Sequence, residues 1–175
     1  MSITTKVKNE TKNFISNYIT PNKNGYAIDI EKITKDLGIN LVQYMFDEDI
    51  SGVLVTKDKI STIGVNQAHS EVRRRFTIAH ELGHYILHRN EGNMFMDKIL
   101  FRKSTDYKEK DLKLEIEANY FAANVLMPEE DIFEYITENN IDFHEDDEVR
   151  QLAKVFKVSS WAMTYRLINL GLVYS

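Results

Sequence analysis

Residues 73–84 have the sequence RRRFTIAHELGH, and this stretch carries the strongest structural signal in the chain. Its apolar residues recur at helical spacing, and Ser70 stands where a side chain can cap a first helical turn. We therefore predict a helix that runs from Ser70 to about Leu87. Residues four apart on such a helix project from one face, one turn apart. His80 and His84 can thus reach the same metal ion.

Glu81 borders the face shared by the two histidines, because it lies three residues before His84. From there it can reach a water on the ion without being a ligand itself. Zinc lowers the pKa of bound water to about 7, and a nearby carboxylate can take the proton and pass it to a leaving amine. The pattern His-Glu-x-x-His therefore predicts a zinc peptidase site. The alternative is that both histidines are ordinary residues of a helix surface.

A catalytic zinc ion usually has three protein ligands, so the third must come from elsewhere in the chain. The absence of cysteine leaves histidine, aspartate and glutamate as ligands. A second helix is predicted over residues 108–126, where Glu115 and Asn119 share a face with two alanines that would let the helices approach closely. We expect Glu115 to bind the metal and Asn119 to hydrogen-bond a ligand imidazole. Glu117 points away from this face and is interpreted as a solvated acid.

The remaining histidines fit the metal site less well. His88 is rotated about 80° from His80 along the helix, so we interpret it as a C-terminal residue favoured by the helix dipole. His69 and His144 fall in predicted loops. Zinc is the expected metal and manganese is possible, since imidazole and carboxylate suit both. Several side chains are conceivable donors to a developing oxyanion, and none stands out: Tyr107, Tyr120, Tyr135 and His144.

The whole chain is predicted to have an α+β fold. Further helices are expected over residues 2–20, 29–37, 129–138, 146–156 and 160–169. Strands are expected over residues 39–46, 52–56 and 60–65. They predict a small three-stranded antiparallel sheet, packed with helices around a zincin-like core. Residues 90–107 lack periodicity and are interpreted as a loop or lid.

Two regions are predicted: a zincin-like metallopeptidase domain, residues 1–128, and a helical module packed on it, residues 129–175. Residues 152–167 resemble a helix-turn-helix in which Ser159 caps the second helix. Arg166 is the only base on that helix, and DNA affinity needs several phosphate contacts, so we do not expect the module to bind DNA by itself. A packing module or a docking surface is favoured. Three of its residues are expected in the core: Trp161, Met163 and Leu167.

Composition narrows the possible classes of protein. The formal net charge of −5 argues against a general nucleic-acid binder, because such proteins need a positive surface. The first 20 residues contain no apolar run of the kind found in secretory signals, and no window approaches the roughly 20 apolar residues of a membrane span. We therefore expect a cytoplasmic protein without a membrane segment.

Two blocks resemble the ImmA/IrrE family of metallopeptidases: residues 73–84, and residues 115–128 with the sequence EIEANYFAANVLMP. The resemblance extends over roughly residues 25–170. It implies a gluzincin-like site with two histidines and one glutamate on zinc, which supports Glu115 as third ligand, although Asn119 stands where that clan has aspartate. It also implies cleavage of a helix-turn-helix transcriptional repressor, which derepresses stress or mobile-element genes. The alternatives are a metal-binding regulator that sequesters a partner or binds DNA without cutting, and a component of a toxin–antitoxin pair.

Overall fold

The computed structural model describes residues 2–20, 25–90, 92, 94–98, 109–143 and 146–174. Within these residues the helices are α1 (Thr5–Tyr18), α2 (Ile30–Asp36), α3 (Glu71–His88), α4 (Glu109–Leu126), α5 (Glu129–Asn139), α6 (Asp146–Val155) and α7 (Ser160–Asn169). The strands are β1 (Asn40–Tyr44), β2 (Ile50–Lys57), β3 (Ile60–Asn66) and β4 (Met94–Lys98). The predicted helices are all present, and the predicted α+β fold is confirmed.

The described strands form a mixed sheet with the order β1-β3-β2-β4. Strand β1 runs parallel to β3, whereas β2 is antiparallel to both β3 and β4. The prediction of a three-stranded antiparallel sheet is therefore wrong in strand number and in one pairing. Strand β4 lies within the segment interpreted as a loop or lid. Its own five residues carry no strand periodicity, so the sequence did not predict it. It is a strand because it pairs with β2.

Asn66, the last residue of β3, ties down the connection between β1 and β2. Its buried side-chain amide donates hydrogen bonds to the backbone carbonyls of Phe46, Asp47 and Ile50, at 3.3, 3.2 and 2.9 Å. These bonds hold the connection against the end of β3, and they accompany an order in which β2 lies on the far side of β3 from β1.

The antiparallel pairing expected between the second and third strands is present, and β2 and β3 form a hairpin. Lys57 faces Ile60 across the last pair, which leaves Asp58 and Lys59 as a two-residue turn. Their φ angles are 51° and 66°, and two positive values are typical of the type I′ turn that suits a twisted hairpin.

Helix α3 lies at the centre of the molecule. One side packs on β2 and β3, and the other packs on α4, while α1 packs on α4 and α2 on α3. The buried hydrophobic residues form one cluster that extends from Phe14 in α1 to Leu167 in α7. The helix that carries the His-Glu-x-x-His pattern is thus held from two opposite directions. No helix of the described residues is long and apolar enough to cross a membrane.

The C-terminal helices contact the rest of the chain through a buried arginine. Arg75 donates from Nη2 to the carbonyl of Ile28 at 2.8 Å and from Nε to the carbonyl of Lys157 at 3.3 Å. It therefore connects the segment before α2 with the turn between α6 and α7. Both predicted regions contribute to the hydrophobic cluster. Their division at residue 128 stays a prediction.

Helix α7 buries only one of its faces. Met163 and Leu167 are fully buried, as predicted, but Trp161 is 72% exposed and its placement in the core is wrong. The reason is helical geometry, because Trp161 precedes Met163 by two residues and so points about 160° away from it. Its ring meets that of Tyr165 edge to face, with centroids 4.8 Å apart. An aromatic pair therefore stands on the solvent face of this helix.

Candidate metal centre

Helix α3 places three polar side chains in the interior of the protein. The exposed fractions of His80, Glu81 and His84 are 2%, 0% and 1%. The helix begins where the Ser70 side chain accepts a hydrogen bond from the backbone N–H of Arg73, as the sequence predicts. Buried polar groups are costly unless they meet polar partners. Helix α4 supplies those partners for the two histidines.

Helix α4 approaches α3 most closely at Gly83. A Cβ at this position would lie 3.2 Å from the Cα atom and 3.2 Å from the carbonyl oxygen of Ala118. The predicted close approach of the two helices through small residues is confirmed. It brings Glu115, one turn before Ala118, against the two histidines of α3.

Ligand atoms of three residues converge between the helices. The Nε2 atoms of His80 and His84 are 3.1 Å apart, and each lies 3.2 Å from a different carboxylate oxygen of Glu115. Zinc bonds of about 2.0–2.1 Å in a tetrahedral arrangement hold ligand atoms about 3.3 Å apart. The triangle therefore has the size of a zinc ligand set. Among the described residues, His80, His84 and Glu115 form a group whose ligand atoms all lie within 4.8 Å of one another.

The hydrogen bond to Asn119 determines how His80 presents its ring. Nδ1 of His80 lies 3.1 Å from Oδ1 of Asn119. An amide oxygen only accepts, so Nδ1 carries the proton and Nε2 of the neutral ring presents a lone pair. That lone pair faces the Glu115 carboxylate. Two electron-rich atoms 3.2 Å apart are held together by a proton or by a metal cation between them, and two imidazoles with a carboxylate are a donor set that fits a zinc ion.

The protonation states of two of these residues also suit metal binding. Burial lowers the pKa of His84 to about 4, so the imidazole is neutral at pH 7. Burial favours the neutral form of Glu115, but its contacts with His80 and His84 outweigh that effect and lower its pKa to about 2. Metal ligands must be neutral imidazoles or ionised carboxylates. These are the forms that the site maintains.

Glu81 lies against strand β2. A Cβ added to Gly52 of this strand would be 3.4 Å from Glu81 Oε1 and 3.0 Å from the carbonyl oxygen of Gly64, and it would overlap Cγ2 of Thr77. The strand can therefore run directly over α3 at the level of Glu81 only because residue 52 has no side chain. The Glu81 carboxylate thus lies close beneath the backbone of β2.

Gly52→Ala is expected to lower the free energy of unfolding by about 1–3 kcal/mol, because the new methyl group overlaps Thr77. Urea denaturation followed by circular dichroism measures this change. Thr77→Ser removes the overlapped methyl, so in a double-mutant cycle it should recover part of the loss. Gly92→Ala is the control, since a Cβ there meets no atom closer than 3.7 Å. An unaltered loss in the Thr77→Ser background would show that this contact is not the cause.

Two residues that the sequence did not assign to the site, Glu117 and His88, lie directly behind His84. Glu117, interpreted as a solvated acid, is only 6% exposed, and its Oε2 lies 3.0 Å from Nε2 of His88. His88 does end α3 as predicted, but it is buried and its Nδ1 lies 3.1 Å from Nδ1 of His84. The interpretation of Glu117 is wrong because it treated α4 as half exposed. The contact between His84 and His88 could have been predicted from their four-residue spacing, which puts them one helical turn apart.

The conceivable oxyanion donors are scattered. Tyr120 follows Asn119 on α4, and burial raises its pKa, so its hydroxyl keeps the proton it would donate. Tyr135 on α5 packs edge to face on Tyr26, with centroids 5.1 Å apart. Tyr107 and His144 lie outside the described residues. Of the two candidates among the described residues, Tyr120 is the one that lies next to Asn119 on α4.

An open groove of about 1140 Å³ passes beside the candidate centre. Its lining includes Thr77 and Asn119, the hydrogen-bond partner of His80, but neither the three converging residues nor Glu81. The exposed aromatic pair of α7, Trp161 and Tyr165, also lines the groove. The groove therefore connects the neighbourhood of the site with the surface of the C-terminal helices.

An α+β fold with two histidines and a glutamate converging from adjacent helices defines a metallopeptidase-like protein. Residues 34–168 match the Peptidase_M78 family, described as the IrrE N-terminal-like domain. The chain belongs to this family, which confirms the resemblance to the ImmA/IrrE metallopeptidases.

Two further comparisons agree with this assignment. The chain is 28% identical over 144 residues to the uncharacterized immunity region protein 2 of Bacillus phage phi105, covering 82% of this chain and 80% of the phage protein. It also resembles the solved structure of a Mycobacterium tuberculosis transcriptional regulator, with a TM-score of 0.61 and 14% identity. That likeness covers 94% of this chain but only 47% of the regulator, so the chain spans about half of its length. At this identity the likeness shows the fold alone.

Proposed function

We propose that this protein is a zinc-dependent endopeptidase that cleaves a helix-turn-helix transcriptional repressor. The observation that carries the proposal is the convergence of His80, His84 and Glu115 at 3.1–3.2 Å within a chain of a peptidase family. These three residues hold the metal. Asn119 accepts a hydrogen bond from His80 and keeps its Nε2 free for the ion.

Glu81 is the catalytic residue of this proposal. A zinc ion at the centre would polarise a peptide carbonyl and acidify a water molecule. Glu81 follows His80 directly on α3 and is fully buried, which supports a role for its carboxylate in accepting the proton of the attacking water. The same carboxyl group then passes the proton to the leaving amine. Strand β2 passes close to this side chain at Gly52, where an added Cβ would lie 3.4 Å from Glu81 Oε1.

A protein substrate is supported by the groove beside the site. Its exposed aromatic pair, Trp161 and Tyr165, offers apolar surface with polar edges, which is common where proteins bind one another. The phage relative is an immunity region protein, and the structural neighbour is a transcriptional regulator. Cleavage of a repressor would release the genes that it controls, in a stress response or on a mobile element.

The surroundings of Arg166 disfavour the alternative in which α7 binds DNA. Its guanidinium is 6% exposed and donates from Nε to the carbonyl of Met127 at 3.0 Å. Arg166 is the only base among residues 160–169, and a buried side chain cannot contact phosphates. The helix-turn-helix-like segment therefore serves better as a docking surface than as a reader of DNA.

The test is incubation of the zinc-loaded protein with a purified helix-turn-helix repressor encoded in the same gene neighbourhood. We expect discrete fragments on a denaturing gel, with one or few new termini by mass spectrometry. The fragments should be absent with a chelator and return when zinc is added. A repressor that stays intact with the fully zinc-loaded protein would contradict the proposed substrate.

A further inference from the structure

A continuous line of buried polar groups extends behind His84, away from the ligand triangle. His84 Nδ1 lies 3.1 Å from His88 Nδ1, and His88 Nε2 lies 3.0 Å from Glu117 Oε2. Lys113, one turn before Glu117 on α4, places Nζ 3.9 Å from its other oxygen. All three inner residues are at least nine-tenths buried, so water does not replace these contacts.

The order of donors and acceptors along this line follows from its carboxylate end. An ionised carboxylate only accepts, so His88 must donate to Glu117 from Nε2. A neutral His88 then presents a lone pair at Nδ1. His84 must donate to that lone pair from its own Nδ1, which leaves Nε2 of His84 unprotonated. That atom is the one that faces His80 and Glu115.

We propose that Glu117 and His88 are positioning residues that hold His84 in the Nδ1–H tautomer and thereby keep its Nε2 lone pair directed at the metal. The proposal rests on the proposed function for the identity of the metal centre. Phe95 of β4 stacks on the His84 ring with centroids 4.6 Å apart and planes 16° apart, which fixes the orientation of the ring. The hydrogen bonds determine which ring nitrogen of His84 is unprotonated, and the stacking determines the plane of the ring.

The two ligand histidines thus have unequal support. His80 meets the neutral amide of Asn119 directly, whereas His84 reaches a carboxylate through the His88 imidazole. A charged acceptor increases the basicity of the ligand imidazole more than a neutral one does. The carboxylate support therefore reaches His84 through His88, whereas His80 is supported by the amide of Asn119.

The experiment compares zinc affinity in Glu117→Gln and in Glu109→Gln, a matched control at the exposed start of α4. Dissociation constants are measured by competition with a chelating dye at constant pH, together with urea unfolding of the metal-free proteins. We expect Glu117→Gln to weaken zinc binding by about 10–100-fold while the control keeps the affinity of the wild type. His88→Gln should produce a loss of similar size. The double variant should lose no more than the larger single loss, because both changes interrupt one line.

A second readout separates positioning from general stability. Two-bond ¹H–¹⁵N spectra of the metal-free protein, where no ion on Nε2 dictates the tautomer, should show His84 as the Nδ1–H tautomer in the wild type and a mixture of tautomers in Glu117→Gln. If Glu117→Gln does not fold, His88→Gln gives the same comparison. Wild-type affinity and an unchanged tautomer in a folded variant would overturn this inference and leave the peptidase proposal intact. A wild-type protein that binds no zinc would overturn the proposed function, and this inference with it.

Discussion

Glu81→Gln is expected to retain zinc and to lower kcat for repressor cleavage by about 10²–10⁴-fold. The amide keeps the size of the carboxyl group, so the packing against Gly52 and Thr77 is preserved. It cannot accept a proton from water, and that is the step assigned to Glu81. Fragment formation under single-turnover conditions measures the chemical step without interference from product release.

The matched control for this variant is Glu71→Gln, which changes an exposed glutamate in the first turn of the same helix. It should cleave at the wild-type rate. Metal content must be determined for both variants, so that a lost ion is not mistaken for a lost base. Cleavage by zinc-loaded Glu81→Gln at the wild-type rate would show that another group handles the proton.

His84→Ala and Glu115→Ala are each expected to reduce bound zinc from about one ion per chain to almost none after dialysis. Each change removes one of three ligands, so the loss should exceed the roughly 10–100-fold typical of residues that contact only a ligand. Asn119→Leu should fall within that smaller range. Elemental analysis of the purified proteins gives the stoichiometry, and chelator competition gives the affinity.

Thermal unfolding provides an independent measurement for the same variants. Zinc that binds only the folded protein raises the midpoint, and the rise grows with the ratio of free zinc to the dissociation constant. The wild type should show this rise, and both ligand variants should lose it. His69→Ala and Glu109→Ala serve as controls, because neither residue belongs to the converging group. An undiminished rise in Glu115→Ala would assign the third ligand elsewhere.

The part of the site that follows from helical geometry could be predicted from the sequence. The four-residue spacing of His80 and His84 needs only the pitch of a helix, and the alanines of α4 indicate which of its faces meets α3. The structure brings Glu115 and Asn119 to that face. Their roles as ligand and hydrogen-bond partner stay proposals until metal is measured.

The part that depends on tertiary packing could not be predicted in the same way. Strand β4 has no periodicity of its own, yet it pairs with β2 and its Phe95 covers His84. The parallel pairing of β1 is accompanied by hydrogen bonds from the side chain of Asn66, which contacts a connection about twenty residues earlier in the chain. Glu117 is buried against His88, which the sequence predicted only as a C-terminal residue of its helix.

Two glycines at opposite faces of α3, Gly52 on strand β2 and Gly83 within the helix, have a consequence for mutational tolerance. An added methyl group would meet Thr77 of the helix at Gly52 and the backbone of α4 at Gly83, so a shift of α3 that relieves one contact tightens the other. Neither residue is a proposed ligand or carries a functional group. Saturation mutagenesis should nonetheless find both positions nearly as restricted as the histidines. The constraint on this site therefore extends to residues whose only contribution is the absence of a side chain.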